Sequence, residues 1–293
     1  MSDDGARPAQ SLTPLETLFE APVPGVDVPL PEALASVYGR LRLPAHDGRP
    51  HVLGNFVATL DGVVALGDTG EPGGGPISGD NPCDLMLMGL LRAVADAVVV
   101  GGGTARSVER GHLWTAEYIY PDMAGAYAEM RRALGKSTQP LTVIVTGSGT
   151  VDPAMDVFAG AGPVLVVTSR KGEGSLRQLL PAGVRTAVGK GSGRLTAVSV
   201  LSAVSDALPE ALVLCEGGPY LIGDFLAEGL LDELFLTLAP QVAGRDGTVD
   251  RPGLGMGHLF APSNPVWGEL VGVKRGGSHL FLRYTFGKGQ KAG

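Results

Sequence analysis

Three glycine-rich segments follow short apolar runs in this chain, and each leads into residues that can form hydrogen bonds. They are residues 101–104 (GGGT), 146–149 (TGSG) and 216–220 (EGGPY). Glycines let backbone N–H groups approach a phosphate closely, and the start of a following helix adds its positive end. One such turn is an ordinary strand-to-helix connection. Three at the same edge of a sheet would favour a nucleotide site.

More specific nucleotide motifs are missing from the sequence. The dinucleotide fingerprint Gly-x-Gly-x-x-Gly is incomplete after residue 101, because Arg106 stands where the third glycine should be. No Gly-Lys-Ser/Thr follows a glycine-rich turn, which excludes a Walker loop. The segment 168–171 (TSRK) could hold an anion such as a 2′-phosphate, and a solvated basic turn explains it equally well.

Metal and nucleophile chemistry have little support. The five histidines are scattered, with no pair at i and i+4, and the sequence predicts no metal site. Cys83 follows a proline but lacks the second cysteine of a zinc deaminase, and no Gly-x-Ser-x-Gly elbow occurs. We interpret Cys83 and Cys215 as small buried residues.

Two carboxylates follow predicted strands and call for different interpretations. Asp61 belongs to an Asp-Gly pair, which favours a tight turn. Glu216 stands at the end of a predicted buried apolar strand. Burying a charge there costs free energy, so a functional role for this carboxylate is favoured. Its carboxylate could accept hydrogen bonds from the N–H groups of a heterocycle, although it could also cap the next helix. We favour the ligand role for Glu216 and the turn role for Asp61.

The elements that would position these residues alternate between apolar runs and helical patterns. Ser78 or Asp80 is expected to cap a helix that runs to about Ala95. Strands are predicted at 51–58, 97–100, 141–146, 163–168, 184–188, 211–215 and 232–239. This alternation predicts an α/β fold with a mostly parallel sheet and helices on both faces. Near the end, an Arg-Gly-Gly turn predicts an antiparallel hairpin of edge strands.

The chain of 293 residues is interpreted as one main domain. Residues 48–287 carry the alternating pattern, and prolines break up residues 1–47, which we expect to be a partly ordered extension. Residues 288–293 are predicted to be a frayed tail. The glycine-rich segment 66–76 is a candidate mobile lid, or simply a loop.

Charge and hydropathy exclude several classes of protein. The net charge of −7 argues against a protein that binds the nucleic-acid backbone. No apolar run reaches the roughly 18 residues that a bilayer requires, and the first thirty residues lack a secretory pattern. We therefore expect a cytoplasmic protein with a small-molecule substrate and neither a nucleic-acid nor a membrane partner.

Four segments, in order, resemble the reductase domain of riboflavin biosynthesis. They are 55–62 (NFVATLDG), 91–104 (LRAVADAVVVGGGT), 215–219 (CEGGP) and 229–234 (GLLDEL), and the likeness covers about 51–286. The resemblance implies a dihydrofolate-reductase-like fold, NADPH as cofactor and a homodimer. It also implies reduction of the ribosyl group of a 5-amino-6-ribosylamino-pyrimidine 5′-phosphate to a ribityl chain.

The resemblance also assigns site residues. On the substrate side it implies Asn55, Ser78 and Glu216. Next to the cofactor it implies the residues at the strand ends and turns, namely Ala58, Thr59, Gly103, Thr104, Thr146, Gly147, Gly218, Pro219, Tyr220, Leu221, Ile222 and Gly223.

Residues 105–115 depart from the family pattern. Typical members carry an Asp-x-Pro-x-Leu-x-x-Arg stretch here that holds the sugar phosphate, and this chain has neither the proline nor the spacing. Arg106, Arg110 or His112 could take over that contact. Two alternatives therefore remain open: a dihydrofolate or pteridine reductase on the same fold, and a nucleotide-binding paralogue without turnover.

Overall fold

A single large sheet organises the fold and brings the strand ends together. The computed structural model of the protein describes residues 12–44, 48–66, 74–108, 111–160, 162–189 and 195–287. Arg110, the tail 288–293 and residues 67–73 of the candidate lid lie outside the described residues.

Twelve strands are present among the described residues. They are β1 (Glu16–Glu20), β2 (Val26–Asp27), β3 (Arg42–Leu43), β4 (His51–Ala58), β5 (Ala97–Gly101), β6 (Leu141–Thr146), β7 (Val164–Thr168), β8 (Arg185–Val188), β9 (Leu212–Cys215), β10 (Glu233–Leu238), β11 (Glu269–Gly276) and β12 (His279–Thr285). The same residues form α1 (Glu32–Tyr38), α2 (Gly75–Ser78), α3 (Pro82–Val94), α4 (Gly102–Ser107), α5 (Ala116–Ile119), α6 (Ala124–Ala133), α7 (Arg170–Leu179), α8 (Ala197–Ala207) and α9 (Pro219–Ala227).

Ten of the strands form the main sheet, in the order β1-β11-β12-β10-β4-β9-β5-β6-β7-β8. Every neighbouring pair from β10 to β8 is parallel, and the pairs on the other side of β10 are antiparallel. The prediction of a mostly parallel sheet with a C-terminal hairpin is therefore confirmed. The carboxyl ends of seven parallel strands meet at one edge.

The hairpin is not at the edge of the sheet, contrary to the sequence prediction. Strand β1 pairs with β11 and takes the outer position. Strand β1 was not predicted, because a five-residue strand among prolines gives little local signal. Its partner lies far away in the chain: Glu16 pairs with Arg275, 259 positions later.

Apolar side chains alternate between the two faces of the sheet. On one face, which we call the α3 face, Val98 of β5 joins a core with Met86 and Leu90 of α3. On the other, the α9 face, Val99 packs in a core with Val200 of α8 and Phe225 of α9. This alternation follows from the two-residue period of a strand, and it decides which side chains can meet at the site.

Helix α3 begins later than the sequence predicted, by one residue if Asp80 is the expected cap and by three if Ser78 is. Its N-cap is Asn81, whose side-chain oxygen accepts hydrogen bonds from the amides of Cys83 (2.9 Å) and Asp84 (3.3 Å). The predicted caps lie elsewhere, because Ser78 ends α2 and Asp80 adopts a left-handed φ of 51°. The left-handed pair formed by Gly79 (φ 65°) and Asp80 separates the two helices.

Candidate active site

The central strand β9 is shorter than its neighbours, and this opens a cleft in the sheet. Strand β4 pairs with β9 only through residues 51–54, and β5 pairs with β9 only through residues 97–99. Residues 55–58 and 100–101 therefore extend past the end of β9 on either side. Glu216 follows β9 directly, with its amide bonded to the Val99 carbonyl at 2.9 Å, and it lies at the base of the cleft.

The three glycine-rich turns meet at this edge of the sheet. A Cβ added to Gly101 would lie 4.0 Å from the Gly218 nitrogen, and one added to Gly218 would lie 3.6 Å from the Thr104 hydroxyl. A Cβ on Gly102 would come within 3.2 Å of the Thr146 side chain. The turns after β5, β6 and β9 are thus direct neighbours, as a shared nucleotide site requires.

The turn after β6 is packed against the start of α7. A Cβ on Gly172 would lie 2.6 Å from the Gly149 nitrogen and 2.9 Å from the Gly147 oxygen. The Ser169 hydroxyl donates to the Gly147 carbonyl (2.6 Å) and accepts from the Gly172 amide, which caps α7. Ser169 is therefore occupied inside the protein. The following cations of the TSRK segment, Arg170 and Lys171, are exposed in the first turn of α7.

A buried ion pair connects α3 to the base of the cleft. Arg92 is 2% exposed, and its Nε donates to both carboxylate oxygens of Glu216 at 3.0 and 3.1 Å, while Nη2 reaches Oε2 at 2.8 Å. The remaining nitrogen, Nη1, donates to the carbonyls of Leu113 and Thr115, each at 3.2 Å. One guanidinium therefore positions both Glu216 and the end of residues 105–115, the divergent segment that departs from the family pattern.

Asn55 lies on the same face of the sheet as Glu216. Gly54 pairs with Cys215, so Asn55 and Glu216 occupy the next row of adjacent strands. Asn55 and Glu216 were expected on the substrate side from the family resemblance, whereas Arg92 was not predicted. A signal for Arg92 did exist, since the buried carboxylate of Glu216 requires a partner.

The divergent segment offers different chemistry from that which the sequence suggested. Burial, aided by the positive charge of Arg92, lowers the pKa of His112 to about 4, so this imidazole is neutral at pH 7. Its ring lies 4.8 Å from the rings of Trp114 and Tyr118. Arg106 donates to the Thr150 carbonyl at 3.2 Å and thus points to the turn after β6.

Thr59 and Asp61 build the turn that follows β4. The Thr59 hydroxyl donates to Asp61 at 2.6 Å and accepts from the Val63 amide at 2.9 Å. The Asp61 carboxylate also accepts from the amides of Ala243 (3.0 Å) and Gly244 (2.8 Å). The hydrogen bond from the Thr59 hydroxyl, together with these two, holds the pKa of the Asp61 carboxyl well below its usual range. Asp61 thus joins two loops, in keeping with its interpretation as a turn residue. The Thr59 side chain is buried, with its hydroxyl engaged in that turn.

Ser78 lies on the α3 face next to a buried carboxyl group. Its hydroxyl donates to the Gly75 carbonyl at 3.3 Å, and it lines a cavity of about 390 Å³. Asp84, in the first turn of α3, is 5% exposed, and burial raises the pKa of its carboxyl to about 6 against the opposing effect of the Thr237 and Ser78 hydroxyls. A group that titrates near neutrality therefore lies on this face.

Replacing Asp84 with asparagine is expected to stabilise the protein at high pH. Because the folded pKa lies above the unfolded one, the folded state binds the proton more tightly, and the stability this group contributes is lost as pH rises from about 4 through 6. The gain in the free energy of unfolding of Asp84→Asn should be near zero at pH 4 and approach about 3 kcal/mol at pH 8. Urea denaturation at both pH values measures it. Asp122→Asn, which changes an exposed carboxylate, is the control, and an equal gain at both pH values would contradict the prediction.

Other chemistries find little support in the structure. Both cysteines are free and buried, and burial raises the pKa of the Cys215 thiol to about 12. In the described ranges no group of three or more His, Cys, Asp or Glu side chains is arranged to hold a metal ion. No helix in the same part of the chain is both long and apolar enough to cross a membrane.

Comparison with known proteins agrees with this geometry. The family described as the RibD C-terminal domain matches residues 50–262. No curated protein matches the chain. A pyrimidine reductase-like protein from Corynebacterium diphtheriae is similar in structure, with a TM-score of 0.61 and 22% identity over 86% of this chain and 98% of its own.

Two further solved structures have the same fold. One is a Thermotoga maritima diaminohydroxyphosphoribosylaminopyrimidine deaminase/5-amino-6-(5-phosphoribosylamino)uracil reductase, with a TM-score of 0.58, 21% identity and coverage of 82% of this chain and 57% of that one. The other is the Saccharomyces cerevisiae riboflavin biosynthesis reductase Rib7, with a TM-score of 0.53, 14% identity and coverage of 82% and 90%. These likenesses confirm the predicted dihydrofolate-reductase-like fold.

Proposed function

Since this chain belongs to the RibD C-terminal domain family, we propose that it is an NADPH-dependent reductase of riboflavin biosynthesis. The proposed reaction reduces the ribosyl group of a 5-amino-6-ribosylamino-pyrimidine 5′-phosphate to a ribityl chain. The observation that carries the proposal is the cleft between β4 and β5, with the Arg92–Glu216 pair at its base and glycine turns along its edge.

The residues around the cleft fit a nicotinamide dinucleotide. Gly101 and Gly218 keep side chains out of the gap between two turns, and Gly218 is the N-cap of α9, where it has no side chain to occupy the helix start. That start suits a pyrophosphate, because its amides and helix dipole favour negative charge. Residues 218–223 would hold this group, and the exposed Arg170 and Lys171 would attract a 2′-phosphate.

The remaining cofactor contacts follow from the strand ends. Ala58 and Thr59, where β4 ends beside the cleft, would lie against the nicotinamide, which supplies a hydride when bound. Gly103, Thr104, Thr146 and Gly147 would line the middle of the cofactor, since their two turns are neighbours. These residues position the ring and exclude water, so no strong base is required.

On the acceptor side, the α3 face provides polar groups at fixed positions. Glu216 would accept hydrogen bonds from ring N–H groups of the pyrimidine, with Asn55 next to it. Arg92 holds the carboxylate in place at the base of the cleft. Ser78 would contact the substrate from the end of α2.

A specific observation favours a second candidate, a dihydrofolate or other pteridine reductase. Within the described part of residues 105–115, Arg106 is bonded to a backbone carbonyl and His112 is neutral at pH 7, so neither supplies an uncommitted positive charge for a sugar phosphate. The carboxyl of Asp84, beside the Thr237 hydroxyl, could instead receive an amino-substituted ring.

NADPH oxidation by the purified full chain tests both candidates. We expect oxidation with 5-amino-6-ribosylamino-uracil 5′-phosphate and none with dihydrofolate in a parallel assay. Oxidation with dihydrofolate alone would move the assignment to pteridines. If the protein binds NADPH but oxidises it with neither compound, the enzyme assignment would be overturned and a nucleotide-binding paralogue would remain.

We also propose that the protein acts as a cytoplasmic homodimer on a small molecule. The net charge of −7 supports a small-molecule substrate over a nucleic-acid partner.

A further inference from the structure

His112 is held in a fixed orientation by two aromatic side chains. Its ring lies 4.8 Å from the rings of Trp114 and Tyr118 and is tilted by 58° to each of them. Trp114 is 2% exposed and belongs to the core on the α3 face, whereas Tyr118 belongs to α5. The imidazole therefore packs against a core side chain and a helix residue, which limits the orientations that its ring can adopt.

The backbone on both sides of this ring is also anchored. The described residues 111–115, between α4 and α5, have no regular secondary structure. The Gly111 amide donates to the Asp156 carboxylate at 2.6 Å, and the carbonyls of Leu113 and Thr115 each accept from Arg92 Nη1 at 3.2 Å. Hydrogen bonds to charged groups are the stronger ones, so this part of the divergent segment has a defined path.

The ring nitrogens of His112 make no hydrogen bond with any residue that the structure describes. The other three described histidines each have a partner within 3.1 Å, namely His51, His258 and His279. The His112 side chain is only half-buried, so a ligand can reach it. An imidazole that packing orients, and whose nitrogens are not engaged within the described protein, is suited to binding a ligand.

The charge state of this imidazole decides which chemical group it can bind best. Burial, aided by the positive charge of Arg92, lowers the pKa of His112 to about 4, so at pH 7 one ring nitrogen donates and the other accepts. A neutral ring provides no positive charge to offset a phosphate. A hydroxyl group, which both donates and accepts hydrogen bonds, is the better match.

Arg92 separates His112 from Glu216. The guanidinium presents Nε and Nη2 to the Glu216 carboxylate, and Nη1, on its other edge, to the two carbonyls of the divergent segment. The divergent segment thus follows Glu216 on the far side of Arg92. If Glu216 binds the pyrimidine ring, a substituent of that ring can extend past Arg92 to His112.

We propose that the His112 imidazole binds a sugar hydroxyl of the acceptor and so determines specificity for the ribosyl substituent. This rests on the proposed function and deepens it. From the sequence, His112 was one of three candidates for the phosphate contact, whereas here it recognises the sugar itself. Dihydrofolate has no sugar hydroxyl and would gain nothing from this contact.

Steady-state kinetics of the full chain with two acceptors tests the proposal. The acceptors are 5-amino-6-ribosylamino-uracil 5′-phosphate and the same compound without its phosphate. His112→Phe keeps a ring against Trp114 and Tyr118 but removes both nitrogens. It should raise KM about tenfold for each acceptor, with kcat and the thermal unfolding midpoint close to those of the wild type. A rise confined to the phosphorylated acceptor would indicate a phosphate contact and overturn the proposal, as would an unchanged KM for both.

Tyr118→Phe is the matched control for this variant. It removes a polar atom from the same cluster of rings and keeps the ring that packs against His112. KM and the unfolding midpoint should both stay at their wild-type values. An equal rise of KM in the two variants would assign the effect to disturbed packing and contradict a role for the imidazole nitrogens.

Binding without turnover distinguishes this inference from the proposed function. With NADP⁺ in place of NADPH no hydride is available, and isothermal titration gives the Kd of each acceptor. His112→Phe should raise this Kd about tenfold as well. If the variant weakens binding but the wild type reduces neither acceptor with NADPH, only the proposed function fails. If the acceptors are reduced and the variant changes neither KM nor Kd, only the role of His112 fails, and if neither acceptor binds, both proposals fail.

Discussion

Replacing Arg92 with methionine is expected to reduce kcat/KM at least about a hundredfold and to destabilise the fold by about 3–5 kcal/mol. The substitution leaves the Glu216 carboxylate without its buried partner and frees the carbonyls of Leu113 and Thr115. Steady-state NADPH oxidation and urea denaturation measure the two effects. Arg132→Met, at an exposed residue of α6, is the matched control and should change neither.

A double variant distinguishes a functional ion pair from one that only holds the fold. Arg92→Met combined with Glu216→Leu removes both charges, and apolar pairs of similar volume are often as stable as the buried ion pair they replace. We expect this protein to recover most of its stability and to remain inactive. Activity that returns together with stability would show that the pair is structural.

Glu216→Ala alone should lower kcat/KM for the substrate by a larger factor than it weakens the affinity for NADPH. Equal factors for the two would remove Glu216 from the substrate side.

The second large effect is expected at Gly172, where two backbone segments touch. An alanine Cβ there would lie 2.3 Å from the Thr168 hydroxyl and 2.6 Å from the Gly149 nitrogen, so the turn at residues 146–149 must move. We expect the Kd for NADPH to rise about tenfold or more, equivalent to about 1.4 kcal/mol. Overpacking should also lower the free energy of unfolding by about 1–3 kcal/mol.

Gly174 in the same helix is the matched control for this change. A Cβ there meets nothing within 4 Å, so Gly174→Ala should leave NADPH affinity unchanged and raise stability by about 0.5–1 kcal/mol through helix propensity. Isothermal titration with NADPH and thermal unfolding provide both readouts. Unchanged affinity in Gly172→Ala would mean that the turn after β6 does not contact the cofactor.

Local patterns were sufficient to predict most elements of the parallel sheet. The apolar run at 97–100, followed by glycines, predicted β5 and the turn after it. Helix caps were harder, because Ser78, Asp80 and Asn81 are all competent capping residues. Only the backbone dihedrals show which of the three is used.

Some features of the candidate site could likewise be predicted from the sequence, and others could not. The sequence by itself determined the glycine turns, the parallel strands and hence the shared edge, because these depend on residues adjacent in the chain. It also indicated a functional role for the buried carboxylate of Glu216. Only the tertiary structure supplied its partner Arg92, the cleft left by the short β9 and the position of β1. Each of these joins distant segments, 124 positions apart for Arg92 and Glu216, and such contacts are decided by packing of the whole sheet, which no local pattern encodes.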